Sequence, residues 1–111
     1  MDSKMFSNTY KVHVSEDAEY DFEKAVEYLV LEKRNVQAAL AIADDYDETL
    51  DSLGSVAGSL KLINEEPFHS EEYRIIRFRR HRYYFVYKVE GNVAIVDRML
   101  HELQDRNAAL K

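Results

Sequence analysis

The alternation of apolar and polar positions near the start of the chain predicts a strand followed by a helix. In "YKVHVS", residues 10–15, valines alternate with polar residues, as in a short half-buried strand. Ser15 then offers its hydroxyl as a helix N-cap, and acidic residues occupy the first turn, where the helix dipole favours them. The helix predicted from there repeats apolar residues along one face: Ala18, Phe22, Ala25, Val26 and Leu29.

A second helix is predicted to begin after a cap at Asn35 and to end at Gly54, which tolerates the left-handed backbone of a helix end. Only a short turn separates it from the first helix, so the two are expected to form a hairpin. The segment "DDYDE", residues 44–48, is interpreted as its solvent-facing side. Its inner face is predicted to consist of Val36, Ala39, Leu40, Ala43, Leu50 and Leu53.

The second half of the chain predicts a loop and then three strands. Residues 54–72 hold two of the three glycines and the only proline, so we interpret them as a loop with a short strand or turn near 60–63. Residues 73–80, 82–89 and 92–100 are rich in β-branched and aromatic residues, and "EGN" at 90–92 predicts a tight hairpin turn.

The resulting order, β-α-α-β-β-β, predicts a single α+β domain over residues 1–111. We expect a mainly antiparallel sheet of four strands with the two-helix hairpin packed on one face. The predicted core comprises one face of residues 82–89 together with Val12, Val14, Phe22, Val26, Leu29, Leu40, Ala43, Leu50 and Ile95.

Composition limits the class of protein. The 111 residues suffice for one small domain, and the absence of cysteine rules out disulfides and cysteine-based zinc sites. The first residues, "MDSKMFSNTYK", lack a long apolar run, so no signal peptide is expected. Apolar runs fall far short of the ~18 residues that a membrane span needs, so we expect a cytoplasmic protein without membrane contact.

Charge is divided unevenly along the chain, whose net charge is −6. Residues 1–71 carry six Lys and Arg against 16 Asp and Glu, whereas residues 72–111 carry nine against five. The stretch "RIIRFRRHRYYFVYK", residues 74–88, holds five arginines and no acid. Such asymmetry indicates a polar or anionic partner for one face of the molecule.

Two interpretations of this basic stretch remain open from the residues alone. Arginines on an open sheet face would bind phosphates, with Tyr84 available to stack on a base. Alternatively, their apolar stems cover the sheet and their guanidinium groups meet acids of the helices. On the first interpretation the arginines of residues 74–82 form a positive patch on the side away from the acidic helices. His101, with Glu102 and Asp105 nearby, lacks the spacing of a metal site, and we expect neither a metal nor a cofactor.

The order of these features resembles the RelE/ParE family of toxins from type II toxin–antitoxin systems. The strand that ends in Ser15, followed by "EDAEYDFEKAVEYL", is similar to the opening of that family. The segment "EEYRIIRFRRHRYYFVYKVEGNVAIVDRMLHELQD" is similar to its closing half. The resemblance runs from Tyr10 to Asp105, and the fold of the family is the β-α-α-β-β-β arrangement already derived from the residues.

The resemblance implies one of two activities. RelE-like members are ribosome-dependent mRNA endonucleases with basic residues on the sheet, whereas ParE-like members poison DNA gyrase and lack that set. The first basic position of the second strand of the family matches Arg74. The next falls at Ile76, beside Arg77, and a third falls at Tyr84, two residues after Arg82. The family's closing His-x-Arg-Arg-Asp appears as His101-Glu102-Leu103-Gln104-Asp105, without its arginines.

We therefore expect a toxin that a cognate antitoxin neutralises and that inhibits a cellular target such as DNA gyrase. The alternatives are a RelE-like endonuclease acting on ribosome-bound mRNA and a diverged, inactive member. Whether the chain is an enzyme stays open. Its candidate catalytic residues, which serve only in binding if it is not one, are Arg74, Arg77, Arg82 and Tyr84.

Overall fold

The computed structural model describes residues 10–110. The expectation about a signal peptide rests on residues 1–11, of which residues 1–9 lie outside that range. In chain order the elements are β1 (Lys11–Val14), α1 (Glu16–Glu27) with a π-helical turn (Tyr28–Glu32), α2 (Val36–Val56) with a 3₁₀ turn (Ala57–Ser59), β2 (Arg74–Arg77), β3 (Tyr83–Glu90), β4 (Val93–His101) and α3 (Arg106–Ala109).

Both long helices begin at the predicted caps. The hydroxyl of Ser15 accepts a hydrogen bond from the backbone N–H of Ala18, and the side-chain oxygen of Asn35 accepts one from Ala38, each at 3.0 Å. Each bond satisfies a backbone donor that the first helical turn leaves free. The predicted helix end at Gly54 is wrong, because α2 continues through it to Val56. Gly54 instead contacts the backbone before β1, where its carbonyl accepts a hydrogen bond from the N–H of Tyr10 at 2.9 Å.

The four strands lie in the order β1-β4-β3-β2. The β2–β3 and β3–β4 pairs are antiparallel, whereas β1 runs parallel to β4. The predicted α+β fold with a helical hairpin on the sheet is thus confirmed, and the parallel β1 makes the sheet a mixed one. The bridge between Leu62 and Arg74 matches the short strand expected within the loop.

The main core lies between the sheet and the two helices. From the sheet, Phe85, Tyr87, Ala94, Val96 and Met99 point toward the helices, which contribute Ala18, Ile42, Leu53 and Ala57. The sequence left open which face of residues 82–89 is core, and the structure packs the face of Phe85 and Tyr87 against the helices. The predicted inner face of α2 is wrong at its start, because Val36 and Leu40 are 57% and 60% exposed. The buried positions of α2 are Ala39, Ile42, Asp45, Thr49, Leu53 and Gly54, a face that two polar residues help to form.

The opposite face of the sheet carries a second, smaller core. Tyr84, Val86 and Leu100 of the sheet meet Ile63 and Phe68 from the segment between α2 and β2. Ala109 and Leu110, at the C-terminal end, pack against the same cluster. The sheet is therefore covered on both faces, one by helices and the other by a loop and the C-terminal segment.

Candidate functional site

The β2–β3 hairpin brings together two of the four predicted site residues. In its register Arg77 lies opposite Tyr84, and Arg74 lies opposite Tyr87. Because side chains alternate between the faces of a strand, Arg77 and Tyr84 share the face away from the helices. Arg74 points to the helical face, and Arg82 lies just before β3, in the turn. The four residues therefore form no single site.

The guanidinium group of Arg74 is engaged within the protein. It donates hydrogen bonds to the carbonyls of Leu60 and Gly58, the latter at 3.4 Å. These contacts fasten the chain that leaves α2 to the edge of the sheet. The side chain is only partly exposed, and its hydrogen bonds to the backbone indicate a structural role.

Arg77 remains accessible on the other face. Its side chain is 59% exposed, its Nε lies 3.9 Å from Oε2 of Glu102, and its guanidinium carbon lies 5.9 Å from the ring centre of Tyr84. An exposed ion pair at that separation contributes little to stability. Arg77 is thus free to meet a partner.

Tyr84 is 4% exposed, so its ring offers no open surface for stacking on a base. Arg106 of α3 covers it, with its guanidinium carbon 5.4 Å from the ring centre and its Nε 3.3 Å from the phenolic oxygen. The expectation of an open sheet face beside Tyr84 is therefore wrong, because the C-terminal segment and Phe68 close that face.

Arg82 is exposed in the turn between β2 and β3, and its carbonyl accepts the backbone N–H of Glu102 at 2.9 Å. Arg79 and Arg80 in the same turn are also exposed, and Arg80 donates to Glu48 at 3.0 Å. The hairpin end is therefore basic, with a helix acid beside it. Arg80 meets a helix acid, as the second interpretation expects, whereas Arg74 binds backbone carbonyls. That the exposed arginines bind an anionic partner stays a prediction.

A cleft of about 680 Å³, here called the sheet cleft, opens beside Arg77 and Tyr84. It contains two arginines and four acids, so its net charge is negative. A negative cleft repels phosphate groups and attracts cationic ones. Its walls are formed by Glu65, Glu66, Phe68, Arg77, Tyr84, Glu102, Gln104, Asp105, Arg106 and Asn107.

Two of the cleft acids are held in place by neighbours. Glu65 accepts a hydrogen bond from Nη1 of Arg106 at 2.8 Å. The hydroxyl and backbone N–H of Ser70 donate to Glu66 at 2.6 and 3.2 Å, and these bonds lower the pKa of Glu66. The lowered pKa keeps Glu66 ionised at neutral pH, and the contact with Arg106 holds the Glu65 side chain at the cleft wall.

Arg106, Glu65 and Glu66 are cleft residues that the sequence did not single out. Arg106 directly follows Asp105, whose carboxylate caps α3 by accepting the N–H of Asn107 at 3.0 Å. Asp105, a residue type favoured at helix N-caps, was the available signal for a short helix that begins at Arg106. No local pattern could bring Glu65 to Arg106, since they lie far apart in sequence.

Two classes of site find no support in the part of the chain that the structure describes. Across residues 10–110, His, Asp and Glu side chains form no group of three or more that could hold a metal ion. Over the same range, every helix is too short or too polar to cross a membrane.

Comparison with solved structures supports the fold. The chain is similar to a structure of the chromosomal ParDE system from P. aeruginosa, with 21% identity and a TM-score of 0.67 over 86% of this chain and 98% of the other. It is also similar to the toxin–antitoxin complex RelBE2 from Mycobacterium tuberculosis, with 17% identity and a TM-score of 0.55 over 86% and 94%. These likenesses establish a shared architecture.

Sequence comparison gives the family. No curated protein matches the chain significantly. The profile of the family described as the ParE toxin of the type II toxin–antitoxin system parDE matches residues 12–106. That match covers β1 to the start of α3 and thus nearly the whole described domain. The chain belongs to the ParE toxin family of type II toxin–antitoxin systems.

Proposed function

We propose that this ParE-family toxin acts by binding, inhibits DNA gyrase as ParE-like toxins do, and is neutralised by a cognate antitoxin in the cytoplasm. The observation that carries the proposal is the charge of the sheet cleft, where four carboxylates surround Arg77 and Tyr84. An RNA-cleaving site must attract phosphates, and net negative charge opposes that. Inhibition of a protein target by surface contact does not require a site that attracts phosphate groups.

The chemistry of RNA cleavage gives the same preference. Attack by a 2′-hydroxyl needs a proton acceptor, and the charge that develops on phosphorus needs preorganised donors. Of the two arginines in the cleft, Arg106 already binds Glu65 and Tyr84, which leaves Arg77 as the accessible donor. Arg74 binds backbone carbonyls on the other face. A RelE-like nuclease would therefore depend on Arg77 and Arg82, without the help of Arg74.

Two observations support an antitoxin partner. Both solved neighbours come from toxin–antitoxin systems, and one is described as a complex. Large apolar side chains also remain exposed along the helical hairpin: Tyr20, Tyr28, Leu31, Val36 and Leu40. Exposed apolar surface marks interaction sites, and a helix or extended segment of an antitoxin would cover it.

Induced expression tests the toxin and its target together. Expression alone should stop growth, and coexpression of a small adjacent reading frame should restore it. The purified protein should inhibit DNA supercoiling by gyrase, and primer extension on a reporter mRNA should reveal no new 5′ ends. A Leu53→Asp variant, which disrupts the core and should be harmless, controls for the burden of expression.

Other outcomes identify the alternatives. New mRNA 5′ ends that disappear in an Arg77→Ala variant, with gyrase unaffected, would establish the RelE-like activity. Normal growth with abundant, folded protein would mark a diverged, inactive member. Supercoiling inhibited equally by the Leu53→Asp variant would mean that the assay reports unfolded protein rather than a toxin.

A further inference from the structure

Strand β1 leaves backbone hydrogen-bonding groups open along its outer edge. The N–H of Lys11 donates to the carbonyl of Asn92 at 2.8 Å, and that of Ser15 donates to Val96 at 2.9 Å. Because successive residues of a strand direct these groups to opposite sides, the N–H and C=O of Val12 and Val14 point away from β4. Within residues 10–110, β4 is the only strand that pairs with β1, and no backbone hydrogen bond from outside the strand ladders reaches these groups.

The other strand edges of the sheet are partly closed. Where β4 extends past β1, the N–H of Met99 donates to Asp21 at 3.0 Å and that of His101 donates to Gln104 at 2.6 Å. At β2, the carbonyl of Tyr73 accepts the N–H of Ile63 at 2.8 Å. Proteins commonly protect sheet edges in such ways, because an open edge invites another strand to pair with it. No such contact protects the edge of β1 within the described residues 10–110.

A groove lies directly beside this edge, between β1 and α2. Its volume is about 690 Å³, and its walls are formed by Tyr10, Lys11, Val12, Val14, Asp47, Leu50, Asp51 and Asn92. Leu50 and the two valines give it an apolar floor. Asp47 and Asp51 lie one helical turn apart on α2 and are both exposed, with Lys11 as the cation of the groove. The groove therefore combines an apolar floor with a net negative charge.

We propose that this edge groove binds an extended segment of a partner protein, which adds a strand to β1 and presents an apolar residue followed by Lys or Arg. Strand addition satisfies the free groups of Val12 and Val14. Same-face side chains of a strand lie about 6.6 Å apart, and Asp47 and Asp51 are separated by about 6 Å along their helix. One apolar side chain then reaches Leu50, while basic side chains at alternate positions meet the two carboxylates.

The proposal is tested with a synthetic peptide, Thr-Val-Thr-Lys-Thr-Lys-Thr, blocked at both ends, which has valine and both lysines on one strand face. Amide NMR of the full chain during titration should reveal shifts centred on Val12 and Val14, with slower hydrogen exchange at both amides. A control peptide with glutamate in place of lysine should bind more weakly. The test needs no toxic activity, so its failure is distinguishable from failure of the proposed function.

Matched variants localise the contact. Asp47→Asn combined with Asp51→Asn should weaken the lysine peptide about three- to tenfold, since it removes two exposed charge contacts. Asp44→Asn, an exposed acid of α2 outside the groove, should leave the affinity unchanged. Equal binding of the two peptides, or shifts away from β1, would overturn the proposal. So would protection of the Val12 and Val14 amides in the protein alone, because the chain or a second copy would then occupy the edge.

Discussion

The carboxylate of Asp45, fully buried on α2, lies 2.7 Å from Nδ1 of His81 in the turn between β2 and β3. The same carboxylate accepts the backbone N–H groups of Arg79 and Arg80 at 3.1 and 2.9 Å. Residues 80–82 contain no Gly or Asn that would favour a turn, so an external acceptor holds them in place. Through this contact, α2 sets the position of the hairpin that carries Arg77 and Tyr84.

Removal of the Asp45 carboxylate should destabilise the domain strongly. We expect Asp45→Ala to lower the free energy of unfolding by about 2–4 kcal/mol, because it leaves three donors without their acceptor. Urea denaturation measures the change. Asp44→Ala, at the exposed neighbouring position, should change stability by less than about 0.5 kcal/mol. Similar losses in the two variants would mean that the turn does not depend on this carboxylate.

The stability that Asp45 contributes should depend on pH. Burial by itself raises the pKa of Asp45, but hydrogen bonds from His81, Arg80 and Arg79 outweigh it and hold the pKa below its ordinary value. A lowered pKa contributes stability that is present above the unfolded value of about 3.9 and is lost as pH falls through the folded value. The gap in stability between the native chain and Asp45→Asn should therefore shrink below about pH 4. A gap that stays constant in urea titrations from neutral to acidic pH would contradict this.

Arg98 connects α1, β4 and the C-terminal segment. Its Nε and Nη2 donate to the two oxygens of Asp21 at 2.7 and 2.8 Å, and its Nη1 donates to the carbonyl of Ala109 at 2.5 Å. Lysine cannot form this two-point contact, so Arg98→Lys should lower stability by about 1–2 kcal/mol despite its unchanged charge. Thermal unfolding checks the loss, and Lys24→Ala on the exposed side of α1 is the control. If the Arg98→Lys variant is as stable as the native chain, the positive charge alone is sufficient at this position.

Local signals in the sequence predicted most of the fold. Ser15 and Asn35 identify both helix starts because capping is a matter of neighbouring residues. The alternation in residues 82–89 predicts that one face of this strand is core because strand faces follow from a period of two. It does not tell which face, and the structure places Phe85 and Tyr87 against the helices. The turn at Gly91 was also predicted, and its φ of 61° is the left-handed value that glycine favours.

Long-range pairing accounts for what the sequence did not predict. The buried face of α2 includes Asp45, whose partners lie in the turn at residues 79–81, so a count of apolar positions placed the face wrongly at Val36 and Leu40. The parallel alignment of β1 with β4 depends on the path of the intervening chain. The sheet cleft forms only when Arg106 reaches Glu65 and Tyr84.

Arg34 offers a stabilising substitution. It has a φ of 51°, and the next residue, Asn35, donates its N–H to the carbonyl of Leu29 at 2.8 Å, as at a helix end that usually carries glycine. We expect Arg34→Gly to raise the free energy of unfolding by about 0.5–1 kcal/mol, since glycine adopts this φ without strain. Lys33→Gly, at a φ of −91°, should instead lower it. Thermal unfolding of both variants measures these changes. A loss of stability in both would contradict the interpretation of Arg34 as a helix-end position that favours glycine.

Arg74 and Arg82 should separate the two interpretations of the basic stretch. Arg74 binds the carbonyls of Leu60 and Gly58, so Arg74→Ala should lower stability by about 1–2 kcal/mol. Arg82 is exposed in the turn, so Arg82→Ala should change stability by less than about 0.5 kcal/mol.

An exposed guanidinium contributes chiefly through charge-assisted contacts with a partner. Arg82→Ala should therefore weaken toxicity or antitoxin affinity while the domain stays folded. Urea denaturation, growth after induction and antitoxin titration measure the three quantities on the same pair of variants. If Arg82→Ala keeps normal toxicity and antitoxin affinity, the charge at the hairpin end serves no partner. If Arg74→Ala leaves stability unchanged and weakens binding, Arg74 belongs to an interface instead. If both variants behave as expected, the acidic chain places arginines in this hairpin for two reasons: Arg74 holds the sheet to its own loop, and Arg82 meets an anionic partner.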